Sequence, residues 1–458
     1  MLKQEIFINE FENQEFNFCD IDWWPLIKIQ TAYQLHLKRT EVFKLNEGKS
    51  YNEIKIKITL KDKLQFYKQI FTSNKYIENI IVTDFTHKHD SDIGIKTGIN
   101  PYTDPFVYYF ENLKITFTLF DFKKEGFLLG YNLKVLKKIF LEEVKQKFSR
   151  NSKIQRQLRQ FCDFLSLHYG DDFRLYNHLV QNIIINQAEY LMYFYILKKG
   201  RIKNILLYCY YNNTMMSIIR AANRLNIETV EYQHSQVTSN HFAYSSWGSN
   251  TKNSKDFFPS KIWVWRESDA EYLTDQFKDI KKIEYVVGGN LSLISSKIVK
   301  VLKTDSNIRV LVTLQGIGLP DYIIDCLNKN SNLILYLRLH PRYPQDREMC
   351  EILKLKYKEQ VEIDIANSLT LHELLAFSDY HLTNYSGSAI EADYFDVTNI
   401  IYGDKGYVTY QNEIESQKYL FINSQDDLVN ILEKRLKYKL NSKGSKPDIS
   451  KLIKENFN

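Results

Sequence analysis

The chain alternates short apolar runs with segments whose apolar residues recur at helical spacing. This alternation predicts strands joined by crossover helices, and therefore parallel sheets with helices on both faces. The predicted strands cover residues 204–211, 227–233, 261–268, 284–290, 308–314, 333–339, 361–365, 380–384 and 399–403. We therefore expect an α/β fold with two Rossmann-like domains, in which ligands bind beyond the C-terminal ends of the strands.

The length of 458 residues exceeds what one hydrophobic core usually supports, which favours two domains. The polar stretch after residue 291 separates the two groups of predicted strands. We expect an N-terminal acceptor-binding domain over 1–295, a C-terminal donor-binding domain over 296–440 and a basic tail over 441–458. The first 190 residues give weaker signals, with one or two amphipathic helices predicted over 133–165.

Charge and cysteine content restrict the functional class. Five widely spaced cysteines without a CxxC pair indicate neither a disulfide framework nor a zinc site. The net charge of +6 is small for a nucleic-acid-binding protein of this length. We find no signal peptide and no apolar stretch long enough to span a membrane, and we expect a cytoplasmic protein. The basic runs at 134–147 and 434–454 are either solvated faces or a peripheral contact with anionic lipid at the inner membrane face.

The segment 382–395, LTNYSGSAIEADYF, combines a strand end, a small polar loop and a helix start. Free N–H groups and hydroxyls in such a loop suit a phosphate, so Ser386, Gly387 and Ser388 are candidate donor-binding residues. Ser388 alone is equally well explained as a helix cap. Glu391, one turn into the helix, has the chemistry to bind ribose hydroxyls.

A second candidate segment, YLRLHPRYP at 336–344, lies at the end of a strand predicted in the same sheet. His340 follows the strand, and Arg338 and Arg342 flank it with positive charge. Pro341 stops strand pairing and restricts the loop. Donors of this kind stabilise the charge that develops on a leaving phosphate, although a His-Pro pair by itself is explained by a turn.

A nearby loop, TLQGIG at 313–318, contains Gly316, which permits close approach of backbone to a ligand. In the N-terminal half, EYQHSQVTSNHFAY at 231–244 follows a predicted strand. His234 is a candidate base there because a neutral imidazole can accept a hydroxyl proton. His241 is a second candidate on the acceptor side. For both, the alternative is a histidine hydrogen-bonded in a turn.

The polar run at 85–109 offers further candidates. Asp104 is the alternative base on the acceptor side. A metal site remains an alternative for four clustered side chains: His87, His89, Asp90 and Asp92. A loop lining the acceptor site explains that cluster better, and we expect neither a bound metal nor a cofactor.

Taken in order, QHS with a downstream His and Tyr, WVW, VVGGN, LRLHPR and SDYHLTNYSGSAIEADYF resemble bacterial GT-B enzymes that build surface polysaccharides. The similar groups are capsule and lipopolysaccharide transferases, CDP-glycerol glycerophosphotransferases, sialyltransferases and Kdo transferases. The resemblance covers about residues 200–425. It implies a GT-B fold, in which two Rossmann-like domains face each other across a cleft.

The resemblance also implies residue roles. In those groups a His-Pro motif and a serine loop bind the donor's phosphate, which corresponds here to His340, Pro341, Ser386 and Ser388. The QHG or WHG motif of those groups implies that His234 is the base. This chain departs from that motif, because residue 235 is serine where those groups usually have glycine.

We therefore expect a metal-independent glycosyltransferase. Its partners would be a nucleotide-activated sugar, CMP- or CDP-linked by preference and UDP-linked as the alternative, and a hydroxyl of a glycan or lipid-linked acceptor. The alternatives are a polyol-phosphate transferase, a nucleotide-sugar 2-epimerase with further carboxylates around the sugar, and a non-catalytic scaffold of a polysaccharide-assembly complex.

Overall fold

A computed structural model provides the structure. It describes residues 10–11, 14–39, 58–70, 77–84, 100, 102–124, 126–170, 175–238, 241–247, 254–294, 298–299, 305–340, 343, 345–436 and 447–457. The chain divides into two compact units. Unit 1 comprises Met1–Ser292 and Pro447–Asn458, and unit 2 comprises Leu293–Lys446.

Unit 1 contains a parallel sheet, two small hairpins and surrounding helices. Its strands are β1 Asn17–Phe18, β2 Ile21–Asp22, β3 Asn79–Thr83, β4 Phe117–Asp121, β5 Phe127–Leu128, β6 Tyr131–Asn132, β7 Asn204–Tyr208, β8 Glu228–Tyr232, β9 Lys261–Val264 and β10 Glu284–Val287. Its helices are α1 Trp24–Arg39, α2 Leu60–Ile70, α3 Asp104–Leu113, α4 Leu133–Ser149, α5 Ser152–Tyr169, α6 Tyr176–Leu197, α7 Asn213–Arg224 and α8 Glu267–Phe277, and α9 Leu291–Ile294 lies at the unit boundary.

Unit 2 contains a second parallel sheet. Its strands are β11 Ile308–Thr313, β12 Leu333–Arg338, β13 Val361–Glu362, β14 Tyr380–Thr383, β15 Thr398–Tyr402 and β16 Leu420–Ile422. Its helices are α10 Asp321–Ile324, α11 Cys326–Lys329, α12 Asp346–Tyr357, α13 Asp364–Ser368, α14 Leu371–Phe377, α15 Ser388–Tyr394, α16 Gly403–Thr409, α17 Gln411–Glu415 and α18 Gln425–Glu433, with a 3₁₀ turn at Lys358–Gln360.

The sheet order of each unit is that of a doubly wound domain. In unit 1 the order is β10-β9-β8-β7-β3-β4, and in unit 2 it is β13-β12-β11-β14-β15-β16, with parallel pairing throughout both. Numbered within its own sheet, unit 2 has the order 3-2-1-4-5-6 of dinucleotide-binding domains. The predicted α/β class with two Rossmann-like domains is confirmed.

Apolar side chains on both faces of the sheets form the cores. In unit 2, Val310, Val312 and Leu382 of the two central strands are buried. Leu374 of α14 belongs to the apolar cluster on one face of the sheet, and Leu428 of α18 belongs to the cluster on the other face. Strands buried on both faces explain why these segments appear in the sequence as continuous apolar runs.

The segment that we interpreted as a basic tail contains a helix, α19 Ile449–Phe457. Phe457 is buried, and its ring lies 5.0 Å from that of Phe110 and 6.2 Å from that of Phe106, both in α3. Asn456 accepts a hydrogen bond from Lys261 at 3.2 Å. These contacts explain why the end of the chain belongs to unit 1.

Candidate functional site

The centre of unit 2 is the point where the strand order reverses. β11 and β14 are neighbours, and their register sets Thr313 opposite Thr383 at the C-terminal end of each strand. The crossovers from these two strands run to opposite sides of the sheet, so the loops that follow them separate and leave a crevice. This crevice is the predicted ligand position in such a domain.

Four hydroxyls and one imidazole form a hydroxyl cluster at this crevice, made of Thr313, Thr383, Ser386, Ser388 and His381. Thr313 Oγ1 lies 3.0 Å from both Thr383 Oγ1 and Ser388 Oγ. Ser388 Oγ lies 2.8 Å from Ser386 Oγ. The two serines predicted to bind phosphate are therefore hydrogen-bonded to each other and connected to the central strand.

His381 was not among our predicted site residues. It is fully buried in β14, and its Nε2 lies 2.9 Å from Thr313 Oγ1 and 3.0 Å from Ser388 Oγ. Burial lowers the pKa of His381 to about 4, because the charged imidazolium is poorly solvated there. At neutral pH the cluster therefore contains a neutral imidazole.

The loop that contains Gly316 is held by a carboxylate that sequence analysis did not identify. Asp346, at the start of α12, accepts hydrogen bonds from the N–H groups of Gly316 at 2.5 Å and Gly318 at 2.9 Å. Gly316 has a φ of +78°, a conformation that favours glycine. These two N–H groups are thus used inside the protein, and the donor-binding role of Gly316 stays a prediction.

Arg338, which we predicted to bind the donor, makes contacts within unit 2. Its Nη1 donates to the carbonyls of Ala366 at 2.8 Å and Leu369 at 2.7 Å, at the end of α13. Burial lowers the pKa of Arg338. This nitrogen therefore secures the end of a helix, and the donor-binding role of Arg338 stays a prediction.

His340 follows β12, at the same edge of the sheet as the hydroxyl cluster, because parallel strands end on the same side. Its ring lies 4.6 Å from that of Tyr343, and its carbonyl accepts a hydrogen bond from the Tyr343 N–H at 3.1 Å. The predicted donor-binding residues Pro341 and Arg342 lie outside the described residues.

Glu391, the predicted ribose ligand, has a protein partner. Its Oε2 lies 3.0 Å from Nε2 of His372 in α14. Both side chains are partly exposed, at 25% and 18% respectively. His372 therefore orients the carboxylate while leaving it accessible from one side. Gly387, the residue before α15, has an ordinary helical conformation with a φ of −57°.

In unit 1, the candidate base His234 follows β8 and lies among tyrosines. Its Nε2 is 3.0 Å from the hydroxyl of Tyr211, and the rings of Tyr102 and Tyr208 lie 5.6 and 6.0 Å away. The same Tyr211 hydroxyl lies 3.3 Å from Nε2 of His241. One tyrosine thus joins the two histidines that we had selected from the sequence.

A backbone hydrogen bond assigns the proton position on His241. The N–H of Ala243 donates to His241 Nδ1 at 3.3 Å, so the proton of the neutral ring lies on Nε2. That proton is available to Tyr211 and to Ser235 Oγ, which is 3.1 Å away. The Tyr211 hydroxyl, whose pKa is raised by burial, lies within hydrogen-bonding distance of His234 Nε2.

A buried glutamine fixes the backbone beside His234. Gln233 accepts a hydrogen bond from the N–H of Trp265 at 2.8 Å and donates to Asp269 at 3.2 Å and to the Ser235 carbonyl at 3.1 Å. The QHS sequence therefore combines an anchoring residue with a partly exposed imidazole. Serine at position 235 is accommodated because its hydroxyl contacts His241.

Asp104, our alternative base, is buried in the first turn of α3. Its Oδ1 accepts a hydrogen bond from the N–H of Asn100 at 3.0 Å. Asp104 therefore stabilises the turn that leads into α3, and its role as a base stays a prediction. The candidate metal ligands His87, His89, Asp90 and Asp92 lie outside the described residues.

The described residues contain neither a metal-binding cluster nor a membrane-spanning helix. Within those ranges, no group of three or more His, Cys, Asp or Glu side chains is placed to hold a metal ion. None of the helices described is both long and apolar enough to cross a membrane.

No model of a known protein family matches the chain, and no curated protein matches its sequence. Solved structures are similar to it. A putative UDP-N-acetylglucosamine 2-epimerase from Listeria monocytogenes is 11% identical, with 82% of this chain and 91% of that chain covered and a TM-score of 0.47.

A UDP-GlcNAc 2-epimerase from Neisseria meningitidis, bound to UDP-GlcNAc, is 12% identical over 83% of this chain and 99% of that chain, with a TM-score of 0.47. The pneumococcal O-GlcNAc transferase GtfA, in complex with UDP and GlcNAc, is 12% identical over 59% of this chain and 57% of that chain, with a TM-score of 0.37. Likeness at this level assigns no activity to the present chain.

Proposed function

We propose that this chain is an enzyme that acts on a nucleotide-activated sugar and binds the donor's phosphate at the hydroxyl cluster of unit 2. The observation that carries the proposal is the register of β11 and β14, which brings Thr313 and Thr383 together where the strand order reverses. Hydroxyl donors at that position suit the oxygens of a phosphate, and ligands of Rossmann-like sheets bind at such crevices.

Glycosyl transfer is the first reaction that we propose. The acceptor hydroxyl attacks the anomeric carbon, the bond from that carbon to the phosphate oxygen breaks, and the nucleotide leaves with the electron pair. His234 takes the acceptor's proton, which requires that its ring be released from the Tyr211 hydrogen bond or relay the proton through it. His340 and the serines of the cluster stabilise the negative charge on the departing phosphate.

A 2-epimerase is the second candidate, and two carboxylates of unit 1 favour it. Asp84 follows β3 and Asp121 ends β4, so both lie at the C-terminal edge of the sheet, and both are largely buried. Carboxylates at a sugar-binding edge are what proton transfer at C2 requires. Both are paired with lysines, Asp84 with Lys123 and Asp121 with Lys124, and this competes with a role as acid or base.

A thermal-shift screen with CMP, CDP, UDP and GDP tests nucleotide binding. A ligand present at about 100 times its Kd adds about 2.7 kcal/mol to the stability of the folded state. We expect one cytidine or uridine nucleotide to raise Tm, and the double variant Ser386→Ala/Ser388→Ala to reduce the rise by about half, as for a tenfold loss of affinity. Ser416→Ala, a change at an exposed serine elsewhere in unit 2, is the matched control. The proposal is wrong if all four nucleotides leave Tm unchanged.

Incubation with the matching nucleotide sugar then separates the two reactions. A transferase releases nucleotide at a rate that depends on added acceptor, whereas an epimerase converts the sugar at C2 without one. NMR of the sugar ring protons distinguishes the products. Nucleotide binding without either reaction would instead indicate a scaffold that keeps the fold.

A further inference from the structure

The direction of hydrogen bonding in the hydroxyl cluster is set by Asn399 on the neighbouring strand, β15. His381 and Asn399 are register partners on β14 and β15, and His381 Nδ1 lies 2.7 Å from Asn399 Oδ1. The Asn399 amide nitrogen donates to the carbonyl of Ala389 at 2.8 Å and to Asp393 Oδ1 at 2.9 Å. The Asn399 oxygen is therefore an acceptor, and the imidazole proton lies on Nδ1.

With its proton on Nδ1, His381 presents a bare Nε2 to the cluster. One hydroxyl must donate to this nitrogen, since a buried acceptor without a partner is costly. Thr313 Oγ1 is the nearer candidate, at 2.9 Å. Its other acceptor, Thr383 Oγ1, lies 3.0 Å away, and a hydroxyl oxygen that itself donates to a carbonyl needs that proton less than the bare ring nitrogen does. Thr383 does not compete for the nitrogen, because its hydroxyl donates to the Thr313 carbonyl at 3.2 Å.

Ser388 is then left to donate in the other direction. Its Oγ is 2.8 Å from Ser386 Oγ, the shortest hydroxyl contact of the cluster, and its N–H also points at that oxygen, at 3.4 Å. Ser386 thus accepts from Ser388. Its own proton remains for a group on the partly exposed side of the loop.

We propose that His381 is a positioning residue of the donor site: by accepting the Thr313 proton, it leaves Ser388 to donate to Ser386, and Ser386 directs its proton to a phosphate oxygen of the bound nucleotide. The inference rests on the proposed function, because it needs a phosphate at this loop. His381 acts through Ser386 and does not itself touch the ligand.

A double-mutant cycle tests this coupling. The variants are His381→Leu, Ser386→Ala and the two together, and the measurement is calorimetric titration with the nucleotide selected by thermal shift. We expect each single change to weaken binding about tenfold, as for one hydrogen bond to a charged group, and the double variant to bind no more weakly than the singles. His381→Gln, which retains an acceptor, should recover most of the affinity. The corresponding nucleoside, which lacks phosphate, should bind all variants equally.

The unaltered protein gives an independent test that does not depend on how the variants fold. Two-bond ¹H–¹⁵N correlations of the histidine rings identify which nitrogen is protonated, and we expect the Nδ1–H tautomer for His381. An Nε2–H tautomer, losses that multiply to about a hundredfold in the double variant, or an equal loss of nucleoside binding would each overturn the inference while leaving the proposed function intact. Failure of the unaltered protein to bind any of the four nucleotides would overturn both.

Discussion

The hydroxyl of Tyr211 lies 3.0 Å from Nε2 of His234 and also contacts His241. If His234 is the base, Tyr211 determines the orientation of its ring. We expect Tyr211→Phe to lower kcat/KM about tenfold, as for the loss of one hydrogen bond, and His234→Ala to lower it about 10²–10⁴-fold.

Nucleotide affinity shows whether the loss of kcat/KM in these two variants comes from catalysis or from donor binding. Both variants should bind nucleotide as the unaltered protein does, because both changes lie in unit 1. Tyr108→Phe, at a partly exposed tyrosine of α3, is the matched control. A Tyr211→Phe variant with full activity would show that His234 needs no support from the tyrosine.

Glu391, which His372 contacts, is the predicted ribose ligand, so changing it should affect only ligands that contain a ribose. We expect Glu391→Gln to weaken nucleotide binding about tenfold, because a carboxylate accepts stronger hydrogen bonds from ribose hydroxyls than an amide does. Pyrophosphate, which has no ribose, should bind Glu391→Gln and the unaltered protein alike in calorimetric titrations. Glu348→Gln, on the exposed face of α12, is the control. An equal loss for both ligands would contradict the ribose role.

The carboxylate of Asp346 should matter for the stability of unit 2. Asp346→Ala removes a buried carboxylate and leaves the partly buried N–H groups of Gly316 and Gly318 without their acceptor. Hydrogen bonds to a charged group contribute about 1.5–3 kcal/mol each, so we expect the free energy of unfolding in urea to fall by at least about 2 kcal/mol. Asp325→Ala is a surface control in the same unit. A loss below about 0.5 kcal/mol would indicate that water replaces the carboxylate.

A buried glutamate in unit 1 predicts a pH dependence of stability. Burial raises the pKa of Glu231 to about 8 from an ordinary value of 4.5, while the Tyr210 N–H and the Tyr244 hydroxyl donate to its Oε1. The folded state therefore binds this proton more tightly than the unfolded chain. The resulting stabilisation is complete below pH 4.5 and decreases as the pH rises towards 8.

Glu231→Gln tests this pH effect, because the amide keeps the Oε1 acceptor and does not titrate. We expect the variant to gain stability relative to the unaltered protein as the pH increases from 5 to 8, measured by urea unfolding at both values. A difference between the two proteins that does not vary with pH would contradict the raised pKa.

The repeated strand signal was sufficient to predict most of the sheet architecture. Each apolar run from 204 to 403 coincides with a strand, and all of these strands except β15 are shorter than their runs. The run at 204–211 ends as a strand at Tyr208, because Cys209 adopts a φ of 58° and turns the chain, although Tyr210 and Tyr211 are also apolar. The apolar run continues there because Tyr210 belongs to the hydrophobic core and Tyr211 packs against it, so the run does not mark where pairing with the next strand stops.

Three strands of the two parallel sheets were not predicted: β3 and β4 of unit 1 and β16 of unit 2. β3 and β4 are five residues long, and the residues around them carry many charges. The sequence there therefore lacks the alternation of apolar runs with helical segments that marks the later strands. The run at 361–365 was predicted as a strand throughout, but only its first two residues pair with β12, and α13 begins at residue 364. An edge strand with one neighbour has less pairing to extend it.

The loops of the candidate site were predictable, whereas their supports were not. Gly316, His340 and Ser386 each follow a strand of the same parallel sheet, and chain order alone indicates a common edge. Asp346 contacts Gly316 across 30 residues of sequence, and His381 meets Asn399 across 18. These partners depend on strand register and helix placement, which a single sequence does not specify.

The chain leaves unit 1 at Ser292 and returns at Pro447. Synthesis therefore delivers all of unit 2 before α19 supplies Phe457 to cover Phe106 and Phe110. Until then these two aromatic rings lack part of their apolar neighbourhood, and the first sheet cannot reach its final stability. A chain truncated anywhere between Ser292 and Pro447 would lack α19 and leave the core of unit 1 incomplete, even though almost all residues of unit 1 were present.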